Sequence, residues 1–511
     1  MKKSWKRATA VLLACGMLAA MTGCGQDKQT GANGDSITLS LFSIGDGMPS
    51  YKEGMGVFVE AEKETGVHLK NFLSQSASDA AQALTVMMSS GTLADIIKFN
   101  KRGDIAKYGT SGAVIPLNDY INETDTPNIY KYFQAHPEVK KEIEEYDGNI
   151  YYLPFLMDTE EMNVSECWFI RQDWLDKLNL QAPTTVEEFH DVLYAFATQD
   201  PNGNGQKDEV PYFHRNKTIE PLLGLWGAHA GWYINDNDEL CYGPVEEAYG
   251  IAYKNIAQWY KEGLIDKELF TRSNARDALL ANDQGGCTHD WAGSTASYND
   301  SLASSVDGFR LNWMLPPKNV NGEVRESYSR IPVAGYGWSI SATNKHPKET
   351  AKYFDFWFSE KGSNLANYGV EGEHYDMVDG KPTFKEQLLH SDRPVLDIIR
   401  DSGAQWQYAF VQDFDYEKQW LNKDALACME AYKQDVKFDK VAPYLKFSEA
   451  DEKRLNELLP DIGTKINELS QQWVLGAVDV DATFDQYISD LKAMGVDEAI
   501  AIRRAAYNNL K

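Results

Sequence analysis

Apolar and polar residues alternate over 37–42 (ITLSLF), the period of a half-buried strand, and the run stops at the turn signal Gly45-Asp46-Gly47. Residues 51–65 switch to helical spacing, with Phe58, Val59 and Ala61 inward and Gly66 as C-terminal cap. The pattern returns to a strand over 67–72, a helix over 78–89 closed by Ser90-Gly91, and a buried strand over 94–99. This β-α-β-α-β order predicts a parallel, doubly wound α/β sheet. In such sheets ligands bind beyond the carboxyl ends of the strands, here Phe42-Ser43-Ile44, Leu73-Ser74 and Phe99-Asn100.

A second α/β body begins near residue 155. Residues 167–171 (CWFIR) read as a strand and 173–178 as the start of a helix. Thr185-Val186-Glu187-Glu188 is a capping box, followed by Val186, Phe189, Val192, Leu193 and Phe196 at helical spacing. Further on, 337–341 reads as a strand and 347–358 as a helix. Residues 450–469 and 484–511 read as amphipathic helical regions, broken at Pro460 and Gly495. There is no internal repeat and no low-complexity linker inside 37–511, so the chain is expected to cross between its two bodies more than once.

The first residues follow a different pattern. Lys2, Lys3, Lys6 and Arg7 precede an apolar, small-residue run over 8–20, too short for a permanent membrane helix. Met21-Thr22-Gly23-Cys24 then resembles the lipobox of bacterial lipoproteins, which predicts a signal peptide over 1–23 and lipidation of Cys24; the other reading is an ordinary signal peptide cut nearby, with Cys24 incidental. Residues 25–36 carry no aliphatic side chain larger than alanine and cannot form a core, so 24–36 is expected to be a flexible tether. The body should therefore sit outside the cytoplasm, at the cell membrane, held by lipid alone.

Charge supports that placement. The chain carries −26, and removing the four leader cations takes it to −30. Such a body does not bind nucleic acid through its net field and is repelled by anionic headgroups. Four cysteines remain after Cys15 and Cys24: Cys167, Cys241, Cys287 and Cys428. Their spacing is neither a zinc pattern nor a disulfide framework, and they read as buried small hydrophobes, their pairing left open. Thirteen Trp and 27 Tyr are many for a soluble body; most must be core, but an extracytoplasmic protein this rich in them often uses some as stacking platforms for sugar rings.

The sharpest chemical signal is the loop at Asp200. Oxygen side chains fall at Asp200, Asn202 and Asn204, with Gly205 at the sixth position and Gln206 next to offer its carbonyl. That spacing wraps a hard cation, calcium rather than magnesium. Position 12 is Pro211 instead of the EF-hand glutamate, so Asp208 and Glu209 must complete the shell. The role expected is structural. The other reading is a polar Asn-Gly turn without metal.

Taken in order, several short motifs make a resemblance. They are the lipobox at Cys24, Leu93-Ala94-Asp95-Ile96-Ile97, Asp147-Gly148-Asn149-Ile150-Tyr151-Tyr152-Leu153-Pro154, the run from Ile170 to Leu178, Pro183-Thr184-Thr185, the Asp200 loop, and Tyr368-Gly369-Val370-Glu371-Gly372-Glu373-His374-Tyr375. Together they resemble the lipid-anchored extracellular solute-binding proteins of bacterial ABC importers, in the oligosaccharide branch that includes alginate-binding proteins. The resemblance implies a two-lobe, type II periplasmic-binding-protein-like α/β fold with hinge crossings and a C-terminal helical extension. It places the crossings near 153–158, 283–289 and 333–341, one lobe at 37–154 plus 288–335, and the other at 159–285 plus 340–511. It implies an oligosaccharide ligand, permease subunits as partners, a monomer, and calcium on Asp200, Asn202, Asn204, Gln206, Asp208 and Glu209.

For a sugar cleft the candidates for stacking are Trp168, Trp226, Trp232, Trp291, Trp338, Trp406 and Tyr336, although each single Trp reads equally well as core. For polar contacts they are Asp158, Arg171, Asp290, Glu371 and His374; Arg171 reads equally as an ion pair with Asp173. Uronate recognition needs local cations, and the sequence places few of them in the cleft. The rival reading is a secreted, calcium-stabilised polysaccharide-degrading enzyme, but no nucleophile elbow, zinc motif or phosphate loop is present. A tethered adhesin would show repeats or Ig-like strands, and none are seen.

Overall fold

The structure, a computed structural model, describes residues 36–43, 51–73, 79–327 and 329–511. The leader, Cys24, the tether up to residue 35 and the Gly45-Asp46-Gly47 turn lie outside the described residues. Two large sheets are built from β1 (Ile37–Phe42), β2 (Val67–Asn71), β3 (Ile96–Phe99), β4 (Leu153–Met157), β5 (Glu166–Arg171), β6 (Val210–Tyr212), β7 (Gly285–Trp291), β8 (Leu311–Met314), β9 (Val333–Ile340) and β10 (Val411–Gln412). The first sheet runs β10-β4-β9-β3-β1-β2 and the second β8-β5-β7-β6.

In the first sheet β1 pairs in parallel with β2 and β3, and β9 runs antiparallel between β3 and β4. Gly337 makes that insertion possible: a Cβ there would lie 2.1 Å from the Leu153 carbonyl oxygen. One core gathers Leu41, Ile96, Tyr152, Trp338, Trp357 and Tyr408 around this sheet. The second sheet has its own cores, from Trp168, Trp174, Phe189 and Trp473 on one side and Cys167, Phe213 and Cys428 on the other. The protein is thus a two-lobed α/β fold with C-terminal helices.

The lobe boundaries read from the sequence need correction. Residues 288–335 were expected in the first lobe, but β7 and β8 belong to the second sheet. Residues 340–412 were expected in the second lobe, but Tyr353, Phe354, Trp357, Tyr368 and Tyr408 pack into the first core. The crossings shift accordingly. Residues 283–289 enter β7 and do not cross, and 333–341 is a strand of the first sheet rather than a link. The chain crosses at 158–165, from β4 to β5, at 315–332, from β8 to β9, and again after β10. A short antiparallel strand following a helix-rich stretch carries no sequence mark of which sheet it joins, and this is why the assignment slipped.

Arg330 binds the three crossings together. Its backbone N–H donates to the Asn163 carbonyl at 2.8 Å and its Nε to Val164 O at 2.8 Å. Its two terminal nitrogens grip the Glu417 carboxylate at 2.7 and 2.9 Å.

The Thr185 hydroxyl accepts from Glu188 N at 3.2 Å, as a capping box requires, while the Glu188 carboxylate returns to Thr184 rather than Thr185. The break at Pro460 does not occur: one helix runs Glu449–Val474 through it. Proline frees only the carbonyl of Asn456, which faces water, while Leu455, Leu458, Ile462, Ile466 and Trp473 keep a continuous stripe buried. The break at Gly495 is present, with φ of 93°. Cys167, Cys241, Cys287 and Cys428 are buried free thiols. Among the described residues no helix is long and apolar enough to cross a membrane.

Candidate functional site

The crossings leave the first sheet at the carboxyl ends of β4 and β10 and enter it at the start of β9. They reach the second sheet at the start of β5 and the carboxyl end of β8. Those ends of the two sheets therefore face each other. Because β6 and β7 are parallel, the residues just after them lie on the same face, where binding is expected in open α/β sheets.

The second-lobe face centres on Asp290. Its side chain is buried and takes Arg215 Nε at 2.9 Å and Arg276 Nη1 at 3.1 Å. The same carboxylate accepts the Trp291 backbone N–H at 2.7 Å. Arg276 also donates to Ser294 at 2.9 Å and Thr295 at 3.1 Å, which lie in or just after the helix turn following Trp291. Burial raises the Asp290 carboxyl above its usual range in spite of the two arginines, and burial lowers Arg215. The backbone of Trp291 is thereby fixed while 46 % of the residue stays in solvent. No other tryptophan among the described residues is comparably exposed. An exposed indole carried on a held backbone is a stacking surface.

Below Asp290 lies a polar triad. His289, fully buried, sits with Nε2 at 2.9 Å from Glu326 and Nδ1 at 3.3 Å from Glu166. Burial alone would lower its pKa, but the two carboxylates overturn that and raise it to about 10. Next to it burial drives His214 down to about 4. On the first-lobe face Tyr336 is half-buried, stacked on Phe155 at 5.9 Å with Lys98 Nζ 5.7 Å above it. Asp158 is exposed in the first crossing and accepts the Glu160 N–H at 3.1 Å.

Several sequence candidates lie elsewhere. Arg171 ends β5 at the face away from the cleft, fully buried, and its guanidinium is taken by Asp173 at 2.6 Å and Asp283 at 2.5 Å. Trp338 stacks on Tyr408 at 4.9 Å inside the first core. Trp406 packs against Tyr51 and Phe58 there. Trp226 meets Trp259 edge-on at 5.1 Å in the second core, and Trp168 is buried against Phe189 and His289. Trp232 stacks on Tyr242 under Arg503. His374 is buried and accepts the Val370 N–H at 3.0 Å, which makes it part of its own loop, and Glu371 is exposed beside it. In each buried case the aromatic or polar group is consumed by packing.

The residues missed are Arg215 and Arg276. Arg215 follows a three-residue strand, Val210–Tyr212, too short to register as a period. Had it been recognised, the carboxyl-end rule would have pointed at His214 and Arg215.

The Asp200 loop occupies the opposite end of the second sheet, before β6. Asp200, Gly203 and Gly205 all have positive φ, giving the tight turns. Asp200 Oδ2 accepts Gly205 N at 3.0 Å, Asn202 Oδ1 accepts Asn204 N at 3.0 Å, and Asn204 Oδ1 accepts Gln206 N at 2.7 Å. Asp208 receives the Asn204 amide at 3.1 Å and Gln284 at 2.9 Å. Asp200 Oδ1 and Glu209 Oε1 are buried without a hydrogen-bond partner. Burial, then the neighbouring Asp208 and Asp200, raise the Glu209 carboxyl. Among the described residues no three His, Cys, Asp or Glu side chains converge as a metal group. The expected shell contains three carboxylates, Asp200, Asp208 and Glu209, and they do not gather as such a group here. Two orphaned carboxylate oxygens fit a cation, which would also require the Asn202 and Asn204 amides to turn their oxygens inward.

Comparison with known proteins adds three relatives. The fructooligosaccharide ABC transporter substrate-binding protein FusA of Streptococcus pneumoniae is 26% identical over 496 residues, covering 88% of this chain and 85% of that one. Its EF-hand mutant, in complex with fructo-nystose, superposes with a TM-score of 0.77 at 22% identity over 93% and 99% of the two chains, a likeness of fold. Lipoprotein LipO of Bacillus subtilis is 26% identical over 411 residues, 76% of each chain. The alginate-binding protein AlgQ2, in a crystal structure without calcium ion, is 35% identical with a TM-score of 0.82 over 93% and 98% of the two chains. Residues 46–364 match the description of the bacterial extracellular solute-binding protein. Two lobes meeting at the ends of their sheets, three crossings and that match together place the chain in the bacterial extracellular solute-binding protein family.

Proposed function

We propose that this protein is the substrate-binding component of an ABC importer, capturing an oligosaccharide between its lobes and passing it unaltered to permease subunits. The observation that carries the reading is Trp291, exposed at the cleft and fixed by Asp290 and its arginines. A sugar offers C–H faces to such a ring and hydroxyls to the polar groups around it. Bridging both lobes gives the closed state contacts that the open state lacks, so ligand shifts the population toward closure. FusA and AlgQ2, named for fructooligosaccharide and alginate, support carbohydrate as the cargo class. Arg215 and Arg276 stand beside the cleft, both paired with Asp290, so acidic and neutral sugars both belong in a screen.

The test is a thermal-shift screen of di- to tetrasaccharides, fructans and uronates included. A binding sugar raises Tm by mass action. Trp291→Ala is expected to weaken that sugar at least about tenfold, or about 1.4 kcal/mol, with Tm of the free protein nearly unchanged. Catalytic appearance of cleavage products would replace this reading with the enzyme.

Lipidation at Cys24 would tether the protein to the outer face of the cell membrane as a monomer. Calcium at the Asp200 loop would be structural, since the loop lies at the far end of the sheet from the cleft. Calcium at 100 times its Kd is then expected to add about 2.7 kcal/mol of stability, read by calorimetry, and Asp200→Ala to abolish the increment. Equal stability with calcium and with chelator would remove the metal from the account.

A further inference from the structure

Away from the three crossings, a built contact joins the lobes at Arg102. Arg102 follows β3 at the cleft-facing end and is 7% exposed. Its Nε donates to Glu145 at 2.8 Å, Nη1 to the Tyr152 hydroxyl at 2.9 Å and Nη2 to the Glu142 carbonyl at 2.7 Å. All three partners belong to the first lobe, so the guanidinium plane is held before anything else meets it. Upon that plane lies the ring of Tyr444, 3.9 Å away. Tyr444 comes from the segment between the short strand Lys437–Phe438 and the helix Glu449–Val474, both packed with the second lobe. Two residues on, Lys446 donates to the Lys141 carbonyl at 2.6 Å, and Lys141 in turn donates to the Leu510 carbonyl in the C-terminal helix at 2.7 Å.

We infer that Arg102 and Tyr444 form a latch between the lobes, which sets ligand affinity by favouring closure and touches no ligand. The inference rests on the binding-protein reading above. The chain does not connect the lobes here, so a rotation about the crossings that parts these two faces separates the ring from the guanidinium. Arg102 loses almost no side-chain freedom on stacking, because its hydrogen bonds to the first lobe already fix it. Arg102 is buried and Tyr444 half-buried, and burial, then Glu145, push the Tyr444 hydroxyl up to about 12. A cation–π pair gains most when desolvated. A ligand that needs the closed state binds more weakly by whatever fraction of closure is lost.

Spin labels on cysteines introduced at Lys131 in the first lobe and Asp191 in the second, both exposed, report the lobe separation with no ligand present. The four thiols among the described residues are buried and should be spared. Tyr444→Leu is expected to broaden the distance distribution and shift its mean, Tyr444→Phe to leave it unchanged, and Arg102→Lys to lie between. For any sugar that binds, Tyr444→Leu should weaken affinity about tenfold, or about 1.4 kcal/mol, mainly through faster dissociation. Identical distributions in the parent and Tyr444→Leu would overturn the latch. So would a loss of affinity with distances unchanged, which would place Tyr444 on the ligand itself. The distance measurement needs no sugar, so a failed sugar screen leaves this test intact.

Discussion

Replacing His289 with alanine is expected to destabilise the protein by about 3–5 kcal/mol, the usual cost of stripping one partner from a buried ionic group. The imidazole lies between Glu326 at 2.9 Å and Glu166 at 3.3 Å, with the Trp168 ring 5.3 Å away and no solvent access. Without it two buried carboxylates face each other. The pH dependence gives a second signature. Its folded pKa, near 10, stands above the ordinary 6.5, so the native state holds a proton that the unfolded chain releases. The stabilisation is therefore complete below about pH 6.5 and fades as pH rises through the folded value. Urea unfolding of the parent at pH 6.5, 8 and 9.5 should show stability falling relative to His289→Gln, which lacks the titrating group. Parallel curves for the two proteins would show that the imidazole is neutral in the fold. Glu326 lies in the second crossing and Glu166 starts β5, so the triad also makes that crossing move with the second lobe.

Local periodicity carried the first sheet well. The strands at 37–42, 67–71 and 96–99 and the helices between them all come from strong, consecutive signals with glycine caps at Gly66 and Gly91. What failed was long-range. Nothing in Gly337-Trp338-Ser339-Ile340 says that it inserts antiparallel between β3 and β4, because those pairings are made with residues about 240 and about 180 positions away in the chain. The site was legible in the same uneven way. Trp291 and Asp290 stand next to each other in the sequence and at the cleft in the fold. Trp338, Trp406 and Trp168 look identical as letters, yet are spent on cores whose partners come from distant segments. The Asp200 loop was readable because its geometry is local: turns, glycines and oxygens fall within ten residues.

Arg330→Ala should be the other costly substitution, at about 3 kcal/mol or more. The side chains of Arg330 and Glu417 are only 9% and 12% exposed, and two nitrogens meet two oxygens at 2.7 and 2.9 Å. Removing the arginine strands a buried carboxylate and also frees the Val164 carbonyl. Lysine cannot restore the fork, since it offers one point charge where a planar pair of donors is needed, so Arg330→Lys should recover only part of the loss. The functional consequence follows from position. Arg330 sits in the second crossing, its backbone and Nε hold the first, and Glu417 begins the chain after the third. One side chain thus makes three independent segments bend as a single hinge. A double-mutant cycle with Glu417→Ala isolates the pair: a coupling of about 2 kcal/mol or more is expected, whereas additive losses would mean that the crossings are held by their backbones alone.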